Sequence, residues 1–257
     1  MDEIISLQIG QFALIYILLL VVLAIMKRCK IEQSKLLLVA SVRMTVQLVL
    51  AGFILTYIFE NPHPLFTLSY IVLMTGFAIH MVLQRNKGLN KTFKLIAGLS
   101  LSLSGILVLC FFLLLVVGVN IFNPQYTIPI SGMIMGNAMT GLSLGLKTFY
   151  EKTQAQQVQI RTLLNMGVSP QKILTPFANS ATATALLPTL NAMLGMGIIS
   201  LPGMMTGQIL SGTMPMTAIL YQIAITISIT TVTCLAVFLA LYFGSGTLYN
   251  QRAQIEM

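Results

Sequence analysis

The polar side chains that could take part in chemistry stand inside long apolar runs of this sequence. An amide, hydroxyl or guanidinium group in such a run is costly to place in a membrane, and it usually binds a partner or lines a polar path. Six residues are therefore candidate pathway residues: Arg43, Gln47, Asn137, Thr140, Asn191 and Gln208. Two simpler interpretations stay open. The Arg43 side chain could reach back to the lipid headgroups, and the amides could only form hydrogen bonds between helices.

Methionine is the other residue type with possible ligand chemistry, since the chain contains 16 of them. Two segments hold a concentration of methionines: Met133, Met135 and Met139 in one, and Met193, Met196, Met204 and Met205 in the other. Thioether sulfur is a soft ligand that suits Cu(I), but methionine is more often adaptable filling for helices that move. The two histidines, His63 and His80, and the three scattered cysteines form no ligand cluster. The sequence alone therefore leaves the metal ligands unknown.

Several motifs of enzymes and transporters are absent from the sequence. It has no GxxxxGK[ST] segment, so the chain lacks its own phosphate-cradling loop for ATP. No acidic pair lies inside an apolar run, which argues against a proton-coupled carrier. We therefore expect neither a catalytic site nor a cofactor on this chain.

Composition predicts that membrane-spanning helices position these residues. The 257 residues are 56% hydrophobic and 8% charged, and the mean hydropathy is +0.90, which excludes an ordinary soluble domain. Apolar runs of about 18 or more residues recur, each long enough to cross a hydrocarbon core of about 30 Å. We expect an all-α, polytopic membrane protein with about seven transmembrane helices. The expected spans are 4–26, 36–59, a third that ends near 83, 95–119, 127–146, a segment within 181–212, and 216–243.

The basic residues predict the orientation of these spans. Of the 14 Lys and Arg residues, all except Arg43 lie in alternate connections or in the C-terminal tail. Because loops rich in Lys and Arg stay in the cytoplasm, we expect the N-terminus outside and the C-terminus inside. The formal net charge of +8 is then a consequence of topology, and nucleic acid is not an expected partner.

One long polar interval, residues 147–180, has helical features of its own, and we call it the elbow. Val158, Leu163 and Leu164 lie among glutamines at a spacing that predicts a helix with one apolar side. Gly167 follows as a predicted helix stop. A structured cytoplasmic connection of this kind usually contacts a partner, although it could be only a solvated connector.

A second short helix is predicted inside the elbow. Ser169–Pro170 reads as an N-cap followed by proline in the first turn. Ile173, Leu174 and Phe177 would give this helix an apolar side. Pro176 and Asn179–Ser180 are expected to break the chain before the next span begins.

The segment 181–212 is longer than one straight span needs and contains Pro188 and Pro202. Proline removes a backbone hydrogen bond, so we expect either a broken helix that lines a cavity or one long kinked helix. Small residues four positions apart predict close helix packing in this segment and in the fifth span. They are Gly132, Gly136, Gly203, Gly207 and Ser211, and the pair Gly141 and Gly145 has the same spacing.

Six segments of the sequence resemble segments of a known protein family. They are SVRMTVQL (41–48), GNAMTGLSL (136–144), LLNMGVSPQKIL (163–174), LLPTLNAM (186–193), LPGMMTGQILSGTMP (201–215) and YQI (221–223). Together they resemble the FetB/YbbM family of ABC-transporter permeases over essentially the whole chain. The resemblance implies a single permease domain, 1–257, in the bacterial inner membrane. It also implies a separate ATP-binding subunit that holds the ATP and the magnesium.

The same resemblance implies a substrate class and a role for the elbow. The permease would export iron or another metal, and two copies would form a homodimer because ATP-binding subunits work in pairs. The residues expected to couple the elbow to the ATP-binding subunit are Leu164, Gly167, Pro170, Ile173, Leu174 and Phe177. The alternatives are an ATP-independent channel or carrier, a membrane scaffold, and an ABC permease for a non-metal substrate such as a nucleotide sugar.

Overall fold

Helices joined by short connections make up the structure, a computed structural model that describes residues 9–86 and 88–249. The helices are α1 (Ile9–Arg28), α2 (Ser34–Glu60), α3 (Pro64–Arg85), α4 (Lys91–Phe111), α5 (Pro124–Ala155), α6 (Gln157–Asn165), α7 (Pro170–Gly195), α8 (Gly203–Leu210) and α9 (Pro215–Ser245). A π-helical stretch, Phe112–Val117, continues α4. The described residues form no β-strand, and an isolated bridge joins Met196 and Ser200. The predicted all-α class is confirmed.

Among the described residues, five helices are long and apolar enough to cross a membrane. They are α1, α2, α3, α4 with its π-helical stretch, and α9. The helices α5 and α7 are also long, at 32 and 26 residues, but they are richer in small and polar residues. The structure therefore supports a multi-pass membrane protein. Three expected features lie outside the described residues: the start of the first span at Ile4, the loop residue Lys87, and Arg252 in the tail.

The helices α1 and α2 belong to one compact unit, which also includes Leu210–Gly212. The hydroxyl groups of Tyr16 and Thr45 lie 2.6 Å apart and join the two helices by a hydrogen bond. Most of the other side chains on α1 and α2 are apolar and exposed, which suits helices that face lipid.

The second unit contains α3 to α7, most of α8, and α9. Its core lies where α4, α5, α7 and α9 pack against one another. The rings of Phe93 and Phe149 are both buried, with centroids 6.2 Å apart. Leu142, Leu146 and Leu174 are fully buried in the same cluster. The helix α5 contacts α3, α4, α7 and α9, so it is the central element of this unit.

Two glycines allow α5 to approach its neighbours closely. A methyl group added at Gly141 would overlap the side-chain methyl group of Thr233 on α9. One added at Gly145 would lie 2.9 Å from a methyl carbon of Val237 and 3.3 Å from the Cβ atom of Ala185 on α7. Such distances are too short for packed carbon atoms, so α7 and α9 pack directly on the α5 backbone.

Two element boundaries differ from the sequence predictions. The helix α5 continues from the predicted end near residue 146 to Ala155, because Phe149 and Thr153 on its last turns are buried. The helix α7 runs unbroken from Pro170 to Gly195, so the predicted break at Pro176 and Asn179–Ser180 is wrong.

Packing in the core explains why Pro176 does not end α7. Proline removes one backbone hydrogen bond of the helix, the one that the Lys172 carbonyl would accept. The residues on both sides of Pro176 are held by tertiary contacts, since Ile173, Leu174 and Ala181 are buried. Their burial offsets the loss of this one hydrogen bond.

The segment 181–212 is a broken helix, which settles the two interpretations left open by the sequence. The helix α7 ends at Gly195, and Gly197 adopts a left-handed conformation with φ of 84°. The chain then turns through Pro202 into the short helix α8, where the Thr206 amide donates to the Pro202 carbonyl at 2.9 Å. Pro188 lies inside α7 and does not interrupt it.

The glycine contacts of α5 predict opposite effects of one substitution at two positions. A Cβ atom at Gly136 would have no atom within 4 Å, and alanine favours a helix over glycine by about 0.8–1 kcal/mol. Gly136→Ala should therefore leave the melting temperature unchanged or raise it. Gly141→Ala should lower it, because overlap in a packed core costs about 1–3 kcal/mol.

Thermal unfolding of the monomer in detergent measures both effects. The two variants change the same residue type in the same helix, so their difference isolates the contact with Thr233. Equal shifts in the two melting temperatures would contradict the packing described for α5.

Candidate functional site

The elbow comprises the last turns of α5, the helix α6, a short turn and the start of α7. The helix α6 buries Ile160, which is 2% exposed, and half-buries Leu163 and Leu164. These residues have the i, i+3, i+4 spacing of an amphipathic helix. Val158, which we had placed on the same apolar side, is 81% exposed. The prediction for Val158 is wrong. The spacing of Leu163 and Leu164 from Ile160 could have identified the buried side of the helix.

Gly167 ends α6 as the sequence predicted. Its φ of 80° is left-handed, a conformation that glycine adopts without a steric penalty. The Gly167 amide donates to the Leu164 carbonyl at 2.9 Å, and the Val168 amide donates to the Leu163 carbonyl at 3.1 Å. This pair of hydrogen bonds is a common way to close a helix C-terminus. The turn therefore has a defined geometry that fixes α6 relative to α7.

The start of α7 also follows the predicted pattern. Ser169 occupies the N-cap position and Pro170 the first turn, although the Ser169 side chain makes no capping hydrogen bond.

Three of the six residues assigned to coupling are buried inside their own chain. They are Pro170, Ile173 and Leu174, and Leu174 has 0% exposure. The resemblance implied that these side chains couple the elbow to a partner subunit, but their burial leaves them no surface for direct contact with one. They hold α7 against the bundle from inside. Leu164 and Phe177 are half-buried, and Gly167 is exposed.

The surface that the elbow leaves exposed combines apolar and basic groups. Val158 is 81% exposed and Met166 is 74% exposed. A cleft of about 360 Å³ lies between α5, α6 and α7, with Lys152 and Lys172 among its lining residues. The Lys152 ammonium donates a hydrogen bond to the Ser180 hydroxyl. The charge and shape of this cleft suit an acidic side chain that is flanked by apolar ones.

The candidate pathway residues are distributed over several helices. Asn137 and Thr140 share an exposed face of α5, and their side chains donate to carbonyls of their own helix at 2.8 and 3.0 Å. The other four are Arg43 and Gln47, exposed on α2, Asn191, exposed near the end of α7, and Gln208, half-buried on α8. The pathway role of all six stays a prediction.

The small residues predicted to pack helices have different surroundings. A Cβ atom built at Gly132 would lie 3.2 Å from the Met74 methyl carbon. At Gly136, Gly203 and Gly207 a Cβ atom would have nothing within 4 Å. Ser211 is exposed. Of the glycines predicted to pack helices, Gly141 and Gly145 therefore make the closest contacts, whereas Gly136, Gly203 and Gly207 have room for a second copy or for lipid.

Curated proteins from bacteria and from a plant resemble the chain over most of its length. "UPF0014 membrane protein YjkA" of Bacillus subtilis is 31% identical over 250 residues, which cover 96% of this chain and 98% of that protein. "Probable iron export permease protein FetB" of Escherichia coli is 30% identical over 245 residues, covering 95% and 93%. "Protein ALUMINUM SENSITIVE 3" of Arabidopsis thaliana is 33% identical over 213 residues, covering 83% and 76%. No solved structure matches the chain.

The family described as "Uncharacterised protein family (UPF0014)" matches residues 9–249. The similarity to the FetB protein confirms the family resemblance that the six sequence segments indicated. The chain therefore belongs to the UPF0014 family of membrane proteins.

Proposed function

We propose that the chain is the membrane subunit of an ABC transporter that exports iron or another metal across the bacterial inner membrane. A separate ATP-binding subunit, which holds ATP and magnesium, would drive it. The observation that supports this proposal most directly is the structure of the elbow. A short helix is held there in a defined position, Val158 and Met166 are exposed, and a cleft between α5, α6 and α7 is lined by two lysines. The name of the E. coli relative, an iron export permease, supports the choice of cargo.

Seven helices cross the membrane in this proposal, namely α1 to α5, α7 and α9. The helices α5 and α7 are less apolar than the others, which is compatible with spanning because neighbouring helices shield them from lipid. The elbow then lies in the cytoplasm, in agreement with its four basic residues, Lys147, Lys152, Arg161 and Lys172. The N-terminus is outside, the C-terminus is inside, and α8 lies towards the outer surface.

A second copy of the chain completes the proposed transporter. One face of α5 is buried in its own bundle, and the opposite face exposes Gly136, Asn137 and Thr140. Small and polar residues are typical of helix contacts in membranes. Pairing of two copies along this face would cover these residues and would present two elbows to two ATP-binding subunits.

The helix α7 provides the proposed link between ATP use and transport. It begins at the elbow with Pro170 and ends at the break with Gly195. ATP-driven closure of the partner subunits would move the elbow, and α7 would carry that movement to the break as a rigid element.

The seven-span arrangement predicts which side of the membrane holds the elbow. If α5 and α7 both cross, a cysteine at exposed position 158 is cytoplasmic, whereas one at exposed position 214 is external. With Cys29→Ser as background, a membrane-impermeant maleimide should label Met214→Cys in intact cells. It should label Val158→Cys only after the cells are permeabilised.

The two labelling sites are matched because Val158 is 81% exposed and Met214 is 76% exposed. Labelling of Val158→Cys in intact cells would show that α5 and α7 do not both cross, and would leave the five most apolar helices as the spans.

Docking through the elbow predicts a selective effect of charge at Met166. The side chain is 74% exposed, so Met166→Asp should fold normally. In an apolar interface the new carboxylate would be desolvated without a partner, at a cost of several kcal/mol. The variant should fail to co-purify with an ATP-binding subunit that is encoded beside this chain and carries Walker motifs.

Met214→Asp is the matched control, since Met214 is 76% exposed on the proposed external side. It should co-purify as the unmodified chain does. Leu174→Asp is unsuitable as a test, because its 0% exposure makes misfolding the expected result. Retention of the ATP-binding subunit by Met166→Asp would place the docking surface elsewhere.

A further inference from the structure

We propose that a methionine-lined cavity at the break between α7 and α8 binds a soft monovalent cation of the Cu(I) and Ag(I) class. The role of this cavity in transport rests on the function proposed above. The cavity would narrow the cargo of that transporter to soft monovalent cations. Binding itself needs no partner subunit and no ATP, so it is testable even if the transport proposal fails.

The cavity has a volume of about 610 Å³ and lies against α9. Its lining includes Met193 from the last turn of α7, Met196 from the break, and Met205 from α8. Met205 is 9% exposed. Three thioether side chains therefore surround one space, and they come from three positions around an irregular piece of backbone. Irregular backbone at a helix break is typical of ion sites in transporters.

Two of the sulfur atoms lie against hydroxyl groups of α9. The Met196 sulfur lies 3.7 Å from the Thr226 hydroxyl oxygen, and the Met193 sulfur lies 3.4 Å from the Thr230 hydroxyl oxygen. Thr226 and Thr230 are one turn apart, so both sulfur atoms lie along the same side of α9. Each hydroxyl donates its proton to a carbonyl of α9, at 2.7 and 2.9 Å, so the lone pairs of both sulfur atoms stay available to a cation.

Gln222 supplies an oxygen atom that lacks a donor. Its side-chain amide nitrogen donates to the Thr226 hydroxyl at 3.0 Å. Its carbonyl oxygen is buried and accepts no hydrogen bond from any described residue. A buried acceptor without a partner is unfavourable, and a cation in the adjoining cavity would satisfy it. This oxygen and the three thioethers form a candidate ligand set.

The chemistry of the lining selects the class of cation. The lining residues include no charged side chain, and the described residues contain no cluster of three His, Cys, Asp or Glu side chains. Neutral thioethers suit Cu(I), whereas harder divalent ions prefer carboxylate and water oxygens. The C-terminus of α7 and the N-terminus of α8 meet at the cavity, and their partial charges have opposite signs. The ligands, and not the helix ends, therefore determine the sign of the ion that binds.

Silver titration of the full chain tests the site, with Ag(I) as a probe that does not change oxidation state. Thiols also bind silver, so the titration uses a background of Cys29→Ser, Cys110→Ala and Cys234→Ala. Calorimetry in chloride-free detergent buffer should show a saturable site. A triple variant that combines Met193→Leu, Met196→Leu and Met205→Leu keeps the side-chain volume but removes the sulfur ligands. The tightest silver binding of this variant should be weaker by about tenfold or more.

Two further variants separate ligand loss from damage to the fold. The first is a control variant that combines Met133→Leu, Met139→Leu and Met204→Leu. It removes three half-buried methionines outside the proposed ligand set and should leave the tightest silver binding unchanged. Gln222→Glu places an anionic oxygen at the site and should tighten silver binding, a gain that misfolding cannot produce.

Two results would overturn the proposal. One is equal silver affinity of the unmodified and the triple-leucine chains. The other is the absence of saturable binding. Neither result bears on co-purification with the ATP-binding subunit, so failure of the cation site and failure of the transporter role are distinguishable.

Discussion

The close approach of α5 to α7 and α9 is the contact on which the rest of the second unit depends. Gly141 and Gly145 have no side chains, and a side chain at either position would keep these helices apart. In lipid, helix association relies on such van der Waals contact, because the surrounding tails are as apolar as the helices themselves. The elbow lies at one end of this packed group and the methionine-lined cavity lies at the other. Both keep their geometry only while the three helices stay together.

The helix α7 joins these two sites in a single element. Its 26 residues span about 39 Å at a rise of about 1.5 Å per residue. Pro170 and Leu174 fix its first turns to the bundle, and Met193 lies in its last turn at the cavity. A displacement of the elbow would therefore reach the cavity without passing through a flexible connection, as alternating access in the proposed transporter requires.

Long apolar runs made the helical class and most of the spans predictable from the sequence. The limits of α5 and α7 were not predictable, because they depend on tertiary packing. Phe149 extends α5 since it meets Phe93 in the core, and Pro176 is tolerated since the surrounding residues of α7 are held by packing. Local propensity would have ended both helices earlier.

The site residues were predicted less well, for related reasons. Leu174 was assigned to a docking surface because its spacing is amphipathic, but spacing cannot tell whether the apolar side faces a partner or the chain's own bundle. Methionine was recognised as a possible soft ligand. The juxtaposition of Met193, Met196 and Met205 with Gln222 requires the break before α8 and the rotation of α9. The break was predicted only as one of two interpretations, and local sequence does not encode the rotation of α9.

In the proposed transporter, ATP hydrolysis by a partner subunit drives a metal cation through this chain. Transport into proteoliposomes that contain the complex, with the ATP-binding sites facing outwards, measures this coupling. Addition of ATP and magnesium should cause uptake of externally supplied Fe(II) or Ag(I), and a Walker lysine substitution in the partner should abolish that uptake. Equal uptake by this chain alone, without the partner or ATP, would exclude the coupling and identify an ATP-independent channel or carrier.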